Sequence, residues 1–110
     1  ANATKAQTNA ANVQKVAEAY NADPLNTSYP SLVQLQGYSA LTTSVAKIPT
    51  GITLAAGLPT SANGTTTLQY VPKATTGGCI GWWDFGAATP VTKYIAVGDA
   101  ALTVNNTVCG

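Results

Sequence analysis

Residues 3–22 read ATKAQTNAANVQKVAEAYNA, and this run decides the fold. Ala, Gln, Lys and Glu are good helix formers, and neither Pro nor Gly interrupts them. Ala3, Ala6, Ala10, Val13, Ala17 and Tyr20 recur at alternating three- and four-residue steps, which places them on one helical face. Val16 and Ala19 widen the stripe, while Lys5, Asn9, Asn12, Lys15 and Glu18 lie mostly off it. At about 1.5 Å of rise per residue the helix is roughly 30 Å long. Its stripe begins with small residues and ends with bulky ones. The first half is therefore expected to meet a helical neighbour, and Val13 to Tyr20 to fill the domain's own core.

Working outward, Asp23-Pro24 ends the helix, because Pro disfavours helical geometry in the residue before it. Tyr29-Pro30-Ser31 opens a short helical piece carrying Leu32, Val33 and Leu35, with Gly37 as its stop. Ser39 is expected to cap a further short helix to about Ala46. Beyond Pro49 and Gly51 the period moves toward two. Ile52 to Leu54 reads as an edge strand, Asn63-Gly64 as a tight turn, and Thr65 to Val71 as a strand with Leu68 and Tyr70 on one face. Gly77-Gly78 reads as a turn, followed by strands at Cys79 to Phe85 and Val91 to Val97 and a last short one at Leu102 to Val104. The expected architecture is α+β: one domain over residues 1–110, its long N-terminal helix packed on an antiparallel meander sheet of about 3–5 strands.

The chain has 110 residues, enough for one modest core. Charged residues make up 8%, the net charge is +1, and there is neither Arg nor His. Without a basic patch, sequence-specific nucleic acid is not an expected partner. Chemistry is poorly supplied. The only acids are Glu18, Asp23, Asp84 and Asp99, and no Gly-rich loop precedes a helix. Asp84 and Asp99 could face each other across two strands, but a chance pairing explains two acids better than an acid–base pair does. No catalytic residue, cofactor or metal is expected. Calcium held by Asp99 with the Asn105-Asn106 loop would have a single carboxylate, and turn formation accounts for those residues better.

Cys79 and Cys109 are the only cysteines. In a small, Thr-rich, weakly charged chain they read as one disulfide and an oxidising compartment. A loop of about 31 residues is worth about 3.5–4 kcal/mol in the chain-entropy model. Trp82 and Trp83 point to opposite faces if the segment is a strand. Trp83 shares its side with Phe85, and Trp82 shares its side with Asp84. Trp83 is thus expected in the core with Tyr20, Leu68, Tyr70 and Phe85. Trp82 is expected nearer the surface, covered by loops or available to a sugar or partner. Asn-x-Ser/Thr sequons stand at Asn2, Asn26, Asn63 and Asn105, and in a chain so rich in Thr and Asn coincidence is the default. The chain starts at Ala and has no Met, so an upstream segment removed by processing or by a cut is expected.

Residues 5–20, KAQTNAANVQKVAEAY, resemble the exposed half of the N-terminal helix of type IV pilins and pseudopilins. Tyr29-Pro30-Ser31-Leu32 is similar to the short segment that follows that helix in many of them, and the late meander with a C-terminal cysteine loop resembles the pilin C-terminal region. The family's processed first residue, early acid and apolar run are not in this sequence.

The resemblance implies a structural subunit of a cell-surface filament serving adhesion, twitching motility or DNA uptake, held in the inner or cytoplasmic membrane before assembly. Its implied partners are other copies of itself, minor pilins, the membrane through an N-terminal apolar segment, and a host-surface or glycan ligand. Ala3, Ala6, Ala10 and Val13 would form the filament-assembly face. Bulky or charged replacements of Ala6 or Ala10 would then block assembly while leaving the domain's melting temperature nearly unchanged. The alternatives are a pseudopilin of a secretion or DNA-uptake machine and a free extracellular glycan-binding module using Trp82.

Overall fold

A computed structural model describes residues 2–24, 26, 28–41, 46–60, 62–73, 77–85 and 91–98, with the side chains of 2–4, 73 and 91 excepted. Two helices and four strands follow in chain order: α1 (Asn2–Ala22), α2 (Leu32–Ala40), β1 (Thr53–Ala55), β2 (Thr67–Lys73), β3 (Gly77–Asp84) and β4 (Val91–Gly98). The α+β class therefore holds in its coarse form, an N-terminal helix and a four-stranded mixed sheet. The expected strand at 102–104 lies outside the described residues.

The end of α1 is built by local hydrogen bonds. The Tyr20 carbonyl accepts from the Asp23 N–H at 3.3 Å and from Asn26 Nδ2 at 2.9 Å, so a terminal carbonyl is satisfied where Pro24 forbids another turn. A capping box starts α2. Ser31 Oγ accepts from the Gln34 N–H at 3.3 Å, and Gln34 Oε1 accepts from the Ser31 N–H at 2.9 Å. Gly37 does not stop this helix, which runs on to Ala40, because intrahelical bonding tolerates one Gly at a cost of about 1 kcal/mol. It ends at Leu41, whose N–H returns to the Tyr38 carbonyl at 3.1 Å. Lys47 Nζ donates to the Ser39 and Leu41 carbonyls, a cation at the negative end of α2. Of the short helix expected from Ser39 to Ala46, the first two residues belong to α2 and 42–45 lie outside the described residues.

The sheet order is β1-β2-β3-β4. β2, β3 and β4 form an antiparallel meander, with Tyr70 opposite Ile80 and Ile80 opposite Ile95. β1 departs from the expected pattern by pairing with β2 in parallel, Leu54 beside Leu68. The chain from Ala56 to Thr66 is a crossover rather than a hairpin, as parallel neighbours require. Gly77-Gly78 is the start of β3 and not a turn. A Cβ at Gly78 would lie 2.4 Å from the Val71 carbonyl oxygen, so glycine is needed for close strand approach.

One buried cluster joins both layers. Ala6, Ala10, Val13, Val16 and Ala17 of α1 share it with Leu35, Leu54, Leu68, Tyr70, Ile80, Trp82, Ile95 and Val97. Even-numbered β2 and β3 residues and odd-numbered β4 residues supply the sheet's part, which is the period of two at work. Tyr20 is half-buried and meets Tyr38 of α2 edge to face, ring centroids 5.3 Å apart.

The Trp assignment is overturned. Trp82 is 2% exposed and sits in the cluster, whereas Trp83 is only half-buried and lies outside it. The misleading neighbour is Asp84, which shares the core-facing side yet is 9% exposed. Lys93 pairs with it at 2.9 Å, so a charge at the end of the strand stays on the core side without marking solvent. Phe85 follows the last β3 residue, where alternation lapses, and packs partly buried against the cluster.

Candidate assembly surface

The geometry of α1 decides what the molecule can offer to neighbours. Its small-residue stripe is not free. Ala6, Ala10 and Val13 are each 0% exposed and belong to the domain's own core; the side chain of Ala3 lies outside the described residues. The expected division of α1, first half for a neighbour and second half for the core, is corrected. Alanines let a neighbour approach the helix backbone closely, and the bulk they lack is supplied to the shared cluster by sheet residues such as Trp82 and Ile80 of β3. Small residues at a helix surface fit any close neighbour, a sheet as well as a helix.

Polar residues off the stripe pin α1 in place. Asn9 Nδ2 donates to the Thr65 carbonyl at 3.4 Å, and Gln14 Nε2 donates to the Ala96 carbonyl. Glu18 Oε1 accepts from the Gly98 N–H at 2.7 Å, and Glu18 Oε2 accepts from the Tyr29 hydroxyl at 3.4 Å. Gln14 and Glu18 thus satisfy two backbone groups of β4, an edge strand among the described residues, where an unpaired group invites another strand. Sequence reasoning missed these roles, since a Gln or Glu beside an apolar stripe carries no sign of what it will reach. What remains outward on α1 is Lys5, Gln7, Thr8 and Lys15, all exposed.

The segment after α1 is also fastened to the sheet. Pro30 is buried, and its carbonyl accepts from the Tyr70 hydroxyl at 2.6 Å. Burial pushes the Tyr70 phenol up to about 12, with the neighbouring Tyr20 and Tyr29 adding to the shift.

Chemistry is sparse elsewhere. Asp84 is committed to Lys93, and Asp99 lies outside the described residues, as do Asn105 and Asn106. No group of three or more His, Cys, Asp or Glu stands together among the described residues. A groove of about 460 Å³ between α2 and residues 48–54 is lined by Gln36, Ser39, Ile48, Pro49 and Ile52 among others, none of them titratable. Gln36 Nε2 crosses it to the Leu54 carbonyl at 2.8 Å. Such a lining offers neither general acid nor general base. Cys79 is buried and disulfide-bonded; Cys109, the chain's other cysteine, lies outside the described residues. Among the described residues no helix is long and apolar enough to cross a membrane.

No protein-family model matches the chain, and comparison with curated proteins and with solved structures returns no match.

Proposed function

We propose that this chain is the globular part of a type IV pilin-like filament subunit, non-enzymatic and displayed at the cell surface. The observation that carries the proposal is the use of α1. One helix gives five residues, Ala6 to Ala17, to the core beneath it and keeps a polar stripe facing away. That is the arrangement of a helix that serves as the domain's spine. The pilin-like form of the fold, a long helix laid on an antiparallel meander, is part of the same proposal. The Tyr29-Pro30 segment that resembles the family is held to the sheet through Tyr70, and Cys79 lies in a disulfide, which suits an oxidising compartment.

The assembly face differs from the expected one. With Ala6, Ala10 and Val13 spent inside the domain, the surface left to neighbouring copies on α1 includes Lys5, Gln7, Thr8 and Lys15. A glycan-binding module through Trp82 loses its main support, since that indole is 2% exposed.

The test is direct. Filaments sheared from cells producing the full-length protein are imaged with a gold-labelled antibody to this domain. Labelled filaments are the expected result. Protein recovered only as a dispersed species, with no labelled filament, overturns the proposal.

A further inference from the structure

The turn at Asn63 uses only the oxygen of its side-chain amide. Asn63 Oδ1 accepts two hydrogen bonds, from the Thr60 N–H at 2.8 Å and from Thr60 Oγ1 at 3.2 Å. A backbone N–H can only donate, so the atom it faces must be the amide oxygen. The amide nitrogen is therefore turned the other way, and it donates to nothing among the described residues. Thr60, Ala62, Asn63 and Thr66 are all exposed, leaving room around that nitrogen. Asn63-Gly64-Thr65 is a sequon whose middle residue is fixed by packing: a Cβ on Gly64 would lie 2.5 Å from Trp83 Cβ. Trp83 thus packs against the turn from below, while Asn63 Nδ2 is left without a partner among the described residues.

The sequon at Asn26 contrasts with this. Its Nδ2 donates at 2.9 Å to the Tyr20 carbonyl, turned into the protein against the end of α1. Composition adds a second strand of argument. Four of the chain's eight asparagines stand in sequons, although Ser and Thr make up only 22 of its 110 residues, which by chance gives between one and two.

We propose that Asn63 is the acceptor of an N-linked glycan. The donor is an oligosaccharide joined through its anomeric carbon to a lipid diphosphate. Asn63 Nδ2 bonds to that carbon, the carbon–oxygen bond to phosphate breaks, and the lipid diphosphate leaves with the electron pair. The amide gives one proton to a base of the transferase. Oδ1 forms and breaks no covalent bond, and in the glycosylated amide it can still accept both bonds from Thr60. This inference rests on the proposed export of the chain to a compartment with an oligosaccharide transferase, and not on its assembly into filaments.

Peptide mapping of the full-length protein from its own source tests it. Cleavage after Lys5, Lys15, Lys47, Lys73 and Lys93 places every sequon on a different peptide, with Asn63 on 48–73 and Asn26 on 16–47. The expected result is a sugar-bearing 48–73 peptide, reduced to its bare mass in Asn63→Gln, and a bare 16–47 peptide. A fully bare 48–73 peptide overturns the proposal whatever the other peptides carry, and so does a sugar on that peptide that persists in Asn63→Gln.

Discussion

Trp82 and Trp83 are neighbours in β3 with opposite surroundings, and stability measurements separate them. Trp82→Ala is expected to cost about 3–5 kcal/mol, and Trp83→Ala clearly less. Denaturant unfolding of the two variants decides, and equal losses would contradict the burial of Trp82 alone. The Trp82 indole N–H is buried without a partner among the described residues, so Trp82→Phe forfeits packing but no hydrogen bond. Tyr70 carries a pH dependence. Its folded pKa, pushed up to about 12, exceeds its unfolded value of 10.0. The neutral phenol favours the fold, so this contribution is present below about 10 and is lost as pH rises toward about 12. In Tyr70→Phe that alkaline loss should shrink, and about 1–3 kcal/mol of stability should vanish at neutral pH because the buried Pro30 carbonyl loses its donor. A Tyr70→Phe variant with the parent's alkaline unfolding curve would contradict the assignment.

At the scale of elements, α1 makes the sharpest claim. Ala10 is 0% exposed, so Ala10→Glu should destabilise the domain by about 3–5 kcal/mol through an unpaired buried charge. Thr8→Glu on the outward side should stay within about 0.5 kcal/mol of the parent. Thermal melts of both variants check this. The existence of α1 was legible in its Ala/Gln/Lys run, and β2 in the alternation of Leu68 and Tyr70. The destination of the alanine stripe was not, because an Ala face records only that something comes close. The direction of β1 was hidden for another reason: three residues, Thr53–Ala55, carry no pattern that distinguishes parallel from antiparallel pairing. Gly77-Gly78 misled because a Gly pair signals a turn by conformational freedom and a strand by close approach, and only the distance to Val71 tells which. Asp84 misled because its neutralising partner, Lys93, is nine residues away.

At the scale of the whole molecule, the fold holds α1 by its apolar stripe and by polar pins, Asn9 to Thr65 in the turn before β2 and Gln14 and Glu18 to β4. Cys79, in the middle strand pair, adds a covalent tie. Cys79→Ser should cost roughly 2–5 kcal/mol, read from denaturant unfolding, while intact mass after alkylation without reductant should show no free thiol. The proposed function adds that neighbouring copies meet the outward side of α1. The measurement that reaches this most directly is made on the full-length protein carrying Thr8→Glu with Lys15→Glu. Surface filaments are quantified alongside the melting temperature of the soluble domain bearing the same changes. The predicted result is an unchanged melting temperature with filaments lost or strongly reduced. Normal filaments at an unchanged melting temperature would contradict the account.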